Sequence, residues 1–310
     1  MEQRQFSPDG PRVSVVGLGC NNFGAGLDAA ATASVVGAAL DAGINHFDTA
    51  EMYGEGRSEE FLGLALETRR DEAVIATKVC PRPFNEEYRP GALEQRIIEG
   101  CDLSLRRLRT DRIDIYYQHL PDPAAPIEEA LAAFDTLVKD GKVLHVACSN
   151  YSAEMMEEAD ELSRAKDLCR FEANQVEWNL LRRSIEGSQV PAARRLGMTI
   201  IPFYPLGSGL LTGKYRRDVE FPAGTRLASG PSYFTNIVTE ENFDLVEKLT
   251  DFAQARGHSV LELAVSWLLA QDVVPSVIAG ATSAEQVRQN AAAANWKMTA
   301  EDLEAVPGRD

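Results

Sequence analysis

Positive charge is scarce in this chain. Lys and Arg number 31 against 47 Asp and Glu, a formal charge of -16 over 310 residues. No basic stripe breaks the acidic surplus, which excludes the footprint of a nucleic-acid or anionic-membrane binder. A single small anion stays possible, because a few cations or a helix N-terminus can hold one locally. Cysteines are few and unpaired in pattern: Cys20, Cys80, Cys101, Cys148 and Cys169 are odd in number, widely spaced and form no CxxC. That spacing argues against a disulfide framework or structural zinc and for a reducing, cytoplasmic setting. Long apolar runs are missing: VLELAVSWLLA (260–270) stops well short of the ~20 residues a bilayer span needs. The opening MEQRQFSPDG shows no charged-then-apolar signal pattern. Low-complexity tracts and Pro/Gly-rich linkers are absent too, so residues 1–310 read as one domain. A 45% hydrophobic composition supports a sizeable core.

What is present is an alternation. Eight apolar, β-branched runs read as strands: INHFD (44–48), AVIATK (73–78), IDIYYQH (113–119), VLHVACSN (143–150), EANQVE (172–177), MTIIPFY (198–204), PSVIAG (275–280) and ANWKM (294–298). Amphipathic helical patterns separate them, among them SEEFLGLALETR, GALEQRIIEGCDLSLRRL, PIEEALAAFDTLVKDGK and SAEQVRQNAAAAN. Nearly all-apolar strands separated by helices imply a parallel sheet covered on its outer face, and eight units predict a closed (β/α)8 TIM barrel. Ahead of it, FSPDGPRVSVVGLGC (6–20) reads as an N-terminal β-hairpin turning at Asp9-Gly10, placed to plug the barrel bottom. Residues 207–238 form one long loop-like stretch, a candidate cover over a ligand. MTAEDLEAV has Thr299 three residues before Asp302, a near match to a capping box.

In such a barrel the chemistry lies at the C-terminal strand ends, and the residues closing the runs are Asp48, Lys78, His119, Asn150, Gln175 and Tyr204. Each alone has a bland reading as a cap, a solvated cation or a structural histidine. Together they set ionisable groups around one mouth. The loop after the first run, FDTAEMYGEGRSE (47–59), adds Tyr53. A phenol, pKa ~10, donates a proton at neutral pH only when a nearby cation stabilises its anion. Lys78 supplies that cation, Asp48 pairs with it, and His119 can hydrogen-bond the oxygen that receives the proton. Gly54 and Gly56 let the loop turn, and Ser58 is placed to cap the following helix.

FDTAEMYGEGRSE, the Lys closing AVIATK, the His of IDIYYQHLPD, GKVLHVACSN, NQVEWNLLRR, PFYPLGSGLLTGKY and VIAGATSAEQVRQN occur in the order found in aldo-keto reductases. The chain resembles the bacterial-type, short-tailed members of that family over nearly its whole length. The resemblance implies reduction of a small-molecule aldehyde or ketone by a nicotinamide cofactor without metal, with Asp48, Tyr53, Lys78 and His119 as catalytic tetrad and Tyr53 as general acid. It implies that Ser149, Asn150 and Gln175 hold the carboxamide and that Tyr204 stacks on the nicotinamide. Pro205, Leu206, Gly207, Ser208, Leu210 and Lys214 would wrap the pyrophosphate, with Arg226 in the same loop, and Gly19, Cys20 and Asn21 would meet the nicotinamide side. Gly280, Thr282, Gln286 and Asn290 align with the adenosine end, where Thr282 or Ser283 can cap a helix. This end departs from many relatives in bringing no Lys or Arg, so NADPH is the expected cofactor with NADH as the alternative. Lys214, Arg226 or Arg288 could compensate. Ala147 stands where relatives commonly have Gly, a neutral change. Some relatives are potassium-channel β subunits, which leaves an NADPH-binding regulatory subunit as the other functional reading. By position, Asn22, Phe23, Met52, Phe84, Tyr88, Tyr151, Trp178 and Phe234 would line the substrate pocket. Nothing selects monomer or homo-oligomer.

Other features carry no function. VSVVGLGCNNFGAG lacks the third glycine of a dinucleotide fingerprint, since Asn22 holds its place. His145 and Cys148 fall on opposite faces of a strand, His46 and His258 read as structural, and EMMEEADE (154–161) reads as a solvated helix face.

Overall fold

Strands too short to stand alone must seal against one another, and here they do so in a ring. The structure, a computed structural model, describes residues 1–81, 87–229 and 232–308. A two-stranded antiparallel hairpin, β1 (Gln3–Gln5) and β2 (Arg12–Ser14), comes first. The barrel strands follow: β3 (Val16–Gly19), β4 (His46–Asp48), β5 (Val74–Val79), β6 (Ile113–Gln118), β7 (Val143–Ser149), β8 (Ala173–Glu177), β9 (Thr199–Phe203) and β10 (Val277–Gly280). All pair in parallel in the order β10-β3-β4-β5-β6-β7-β8-β9, and β9 lies beside β10, so the ring is nearly closed. This is a (β/α)8 TIM barrel with an N-terminal β-hairpin.

The helices wrap it. They are α1 (Ala29–Asp41), α2 (Arg57–Leu66), α3 (Ala92–Leu108), α4 (Ile127–Lys139), α5 (Ala153–Lys166), α6 (Gln189–Leu196), the short α7 (Arg226–Ser229), α8 (Glu240–Gln254), α9 (Val260–Leu269), α10 (Ala284–Ala292) and α11 (Ala300–Ala305). Side-chain caps start several of them: Ser152 accepts from Met155 N, Ser283 accepts from Gln286 N, and Thr299 with Asp302 closes a full capping box. Among the described residues no helix is long and apolar enough to cross a membrane.

Two of the expected strands move. The first barrel strand is Val16–Gly19, a segment that in sequence reads as part of the hairpin, and the run at 294–298 is not a strand. Its start lies in a 3-10 turn (Ala293–Asn295), and Trp296 is buried and stacked on the His258 ring at 4.1 Å. Ser58 is not the cap of α2 either. Gly56, at φ +91°, precedes the first helical residue, and the Ser58 hydroxyl is buried between Thr49 Oγ1 (2.7 Å) and the Cys20 carbonyl (2.8 Å).

The hairpin does plug the barrel. Phe6 and Val13 are buried against Ala76, Ile115, Tyr117, Ala147, Ala173, Ile201 and Ile278, whose side chains fill the interior, and the Ala147 methyl is part of that filling. Thr199 Oγ1 donates to the Phe6 carbonyl at 2.8 Å, and Ser7 donates to the Glu172 carboxylate. With one end filled by the chain itself, the other end is left to chemistry.

Candidate active site

Parallel pairing brings the expected residues together at one end. Asp48 closes β4, Lys78 is the penultimate residue of β5, and His119 and Asn150 directly follow β6 and β7. Gln175 lies in β8 beside Ser149, and Tyr204 follows β9. The ladder continues into these loops through Cys20 N to Asp48 O (2.8 Å), Thr49 N to Ala76 O (2.8 Å), His119 N to Val79 O (2.8 Å) and Asn150 N to Gln175 O (3.0 Å). Residues just beyond the strands are therefore held as firmly as those within them.

At the centre is a buried ion pair. Lys78 Nζ donates to Asp48 Oδ1 at 2.6 Å and to the Thr49 carbonyl at 2.7 Å, and its side chain is fully shielded from solvent. The other carboxylate oxygen, Oδ2, accepts from Gln175 Nε2 at 2.7 Å. A buried charge tolerates such a place only when paired and hydrogen-bonded on its remaining positions, as Asp48 is. Lys78 Nζ lies 5.3 Å from the Tyr53 ring centroid, and the Tyr53 and His119 rings meet edge to face at 5.8 Å. Burial, reinforced by the Lys78 ammonium, pulls the His119 imidazole down to about 3, so it is neutral at ordinary pH.

The loop that carries Tyr53 is built for its turn. Gly54, Glu55 and Gly56 all have positive φ (57°, 60° and 91°), and a Cβ on Gly54 would come within 2.8 Å of the Phe23 carbonyl. Glu51 anchors the base of this loop: its Oε1 accepts from Cys80 N at 2.8 Å and from the Arg96 guanidinium.

The residues expected to meet a cofactor form an arc around this centre. Ser149 Oγ donates to the Gln175 carbonyl at 2.9 Å, and Asn150 Nδ2 to the His119 carbonyl at 3.1 Å. Tyr204 presents a ring beneath Arg226, whose guanidinium carbon lies 5.6 Å from it and 4.7 Å from the Phe234 ring. The described residues of the 207–238 stretch include short helical segments at Gly207–Thr212, Arg226–Ser229 and Ser232–Ile237, and Arg226 and Phe234 pack on Tyr204. Gly207, Ser208 and Gly209 run through left-handed backbone at φ 51°, 53° and 101°, and Lys214 Nζ lies 3.6 Å from where a Gly209 Cβ would stand. Leu210 and Cys20 are both wholly buried in the core. Pro205 and Leu206 lie between Tyr204 and this turn, and Gly19 pairs with Asp48 on one side and Gly280 on the other. Asn21 Oδ1 is 3.7 Å from the Cβ position of Gly280. Thr282 donates to Gln286 Oε1 from its N (2.8 Å) and its Oγ1 (3.1 Å), and Asn290 Nδ2 donates to the Gly280 carbonyl at 3.2 Å. Arg288 is paired with Glu285 at 3.0 Å.

Several expected pocket residues are core residues. Phe23, Tyr151 and Trp178 are buried; Tyr151 donates to Gln118 Oε1 at 2.7 Å, and Trp178 packs edge to face on Trp267. Tyr88 donates to Glu129 Oε2 at 2.6 Å, Met52 is exposed, Asn22 is half-buried and Phe84 lies outside the described residues. Two features had no signal in the sequence: the Gln175–Asp48 bond, between residues 127 apart, and the approach of Cys80 to His119.

The sequence model of the Aldo/keto reductase family matches residues 15–308. The L-glyceraldehyde 3-phosphate reductase of Escherichia coli (strain K12) is 34% identical over 307 residues, which cover 95% of this chain and 88% of that protein. Aldo-keto reductase YhdN of Bacillus subtilis (strain 168) is 33% identical over 309 residues, 97% of this chain and 91% of its own. A probable voltage-gated potassium channel subunit beta of Oryza sativa subsp. japonica is 32% identical over 297 residues, 94% and 90% of the two chains.

Proposed function

This chain belongs to the aldo/keto reductase family of oxidoreductases, and from that premise we propose that it reduces an aldehyde or ketone to an alcohol, with NADPH as the hydride source and Tyr53 as general acid. The observation that carries the reading is the shielded Lys78–Asp48 pair directed at a phenol, with Lys78 Nζ 5.3 Å from the Tyr53 ring. An ammonium beside a phenol favours the phenolate, so Tyr53 can release its proton to a carbonyl oxygen as negative charge develops there. The Asp48 carboxylate holds the ammonium in place, and Gln175 holds Asp48. Neutral His119 can donate one hydrogen bond to that oxygen and orient it without competing as an acid.

The chain's donors suit a dinucleotide. Ser149, Asn150 and Gln175 supply hydroxyl and amide groups for a carboxamide, and Tyr204 supplies an aromatic face. The left-handed turn at 207–209, with Lys214 beside it, is a concave backbone of the kind that cradles phosphate. When bound, the nicotinamide supplies the hydride. At the adenosine end Thr282 and Gln286 bond to each other and Arg288 is already paired, so the cation for a 2′-phosphate would come from Lys214 or Arg226. NADH is accordingly the alternative cofactor. The substrate is a small carbonyl compound; the similarity to an enzyme named for L-glyceraldehyde 3-phosphate makes that aldehyde the first to try. The place of work proposed is the cytoplasm, on one barrel domain spanning the chain.

Tyr53→Phe tests the assignment. It is expected to lower carbonyl reduction by roughly a hundredfold or more, the worth of a positioned acid, while dinucleotide binding, read by quenching of protein fluorescence, persists. Undiminished turnover would refute it. The similarity to a channel β subunit favours a second reading, a regulatory subunit that binds NADPH. Tight dinucleotide binding with negligible turnover on every member of a carbonyl panel would select it.

A further inference from the structure

Three soft or borderline donors meet at the rim of the mouth. Cys80 Sγ lies 3.6 Å from His119 Nδ1 and 3.5 Å from Met52 Sδ. The three side chains come from the loops after β4, β5 and β6, which are neighbours in the ring, so the framework that fixes the tetrad also fixes them. A sulfur and a nitrogen about 2.3 and 2.0 Å from one ion lie about 3.5–3.7 Å apart at tetrahedral or trigonal angles, and two sulfurs about 3.8–4.0 Å apart. The Cys80–His119 separation falls inside the first range, and the Cys80–Met52 separation is a few tenths of an ångström short of the second. Met52 is 57% exposed, so its flexible thioether can open by the few tenths of an ångström required.

We propose that Met52, Cys80 and His119 form a binding site for a soft monovalent cation, copper(I). Among the described residues no three of His, Cys, Asp and Glu converge on a common point. An ion held by these three side chains accepts a thioether, which excludes magnesium and calcium and favours copper(I). On binding, the Cys80 S–H bond is replaced by a sulfur–copper bond, the proton leaves to solvent, and copper keeps its oxidation state. A proton competes with the ion for the sulfur, so affinity falls as pH falls. The Lys78 ammonium opposes the incoming charge, and the Glu51 carboxylate, which accepts from Cys80 N and from Arg96, offsets it.

The experiment is an anaerobic titration of the full chain with copper(I) in competition with bicinchoninate, a chromogenic copper(I) chelator. One copper per chain is expected. Cys80→Ser is expected to weaken binding by about 100-fold and Met52→Leu by about tenfold, within the range that altered metal environments show. Cys169→Ser, which removes the other half-buried thiol, leaves affinity unchanged. X-ray absorption of the loaded protein should show two sulfurs and one nitrogen around copper. Full affinity in Cys80→Ser, no loss in Met52→Leu, or sulfur-only coordination would overturn the site.

Discussion

Acidification to about pH 5 should cost this protein about 4 kcal/mol of stability, and two histidines are the reason. His46 is sealed inside the barrel with Nδ1 3.0 Å from Ser276 Oγ and no partner on Nε2, and burial lowers it to about 4. His119 is lowered to about 3, again chiefly by burial, with Lys78 adding to it. An unfolded imidazole titrates near 6.5. Both folded values are depressed, so their contribution is complete above about pH 6.5 and is lost as pH falls toward 4 and 3. At pH 5 the unfolded chain binds nearly one more proton per imidazole, worth about 2 kcal/mol each. Urea unfolding at about pH 7.5 and pH 5 reads the difference directly. Glu59 and Glu177, raised by burial, act in the opposite direction. The isolating comparison is therefore His46→Asn, whose loss between the two pH values should shrink to about 2 kcal/mol, whatever its absolute stability. A loss as large in the variant as in the parent would refute the reasoning.

Lys78→Met removes the ammonium paired with the buried Asp48 carboxylate, and should cost about 3–5 kcal/mol in urea unfolding. Adding Asp48→Asn to it is expected to restore part of that loss; no recovery would show that the buried charge is not the cause. Gly54→Ala forces a Cβ to within 2.8 Å of the Phe23 carbonyl at a positive φ and should cost about 1–3 kcal/mol. Because Tyr53 precedes it, turnover should fall further than dinucleotide affinity, a split that steady-state kinetics resolves.

Seven of the eight barrel strands are legible as apolar runs, because a parallel strand covered on its outer face has no polar alternation to hide it. The eighth is not. Val16–Gly19 is four residues with two glycines, and the Asp9-Gly10 turn signal ahead of it drew it into the hairpin. The 294–298 run has a strand-like composition, yet its tryptophan is spent on a stack with His258. The polar strand ends were legible because the fold aims them all one way, so Asp48, Lys78 and His119 could be grouped without coordinates. Contacts between them were not: the Gln175 amide nitrogen donates to Asp48, 127 residues away in the chain. Aromatic composition near a motif says nothing about direction, which is why Phe23, Tyr151 and Trp178 were expected in a pocket and lie in the core.

The ring closes where β3 meets β10, with Val16 opposite Val277 and Gly19 opposite Gly280. Arg4 of the hairpin likewise donates to the carbonyls of Leu269 (2.7 Å) and Val274 (3.1 Å). These partners are separated by most of the chain, and loop closure over such a span must be made before its contacts repay it. On a ribosome, the strand translated first of the eight would wait with one edge unpaired until the last had emerged. That edge is short and rich in glycine, poor material for pairing with a neighbouring chain. The brevity that hides this strand from a sequence reader would also keep it out of trouble during synthesis.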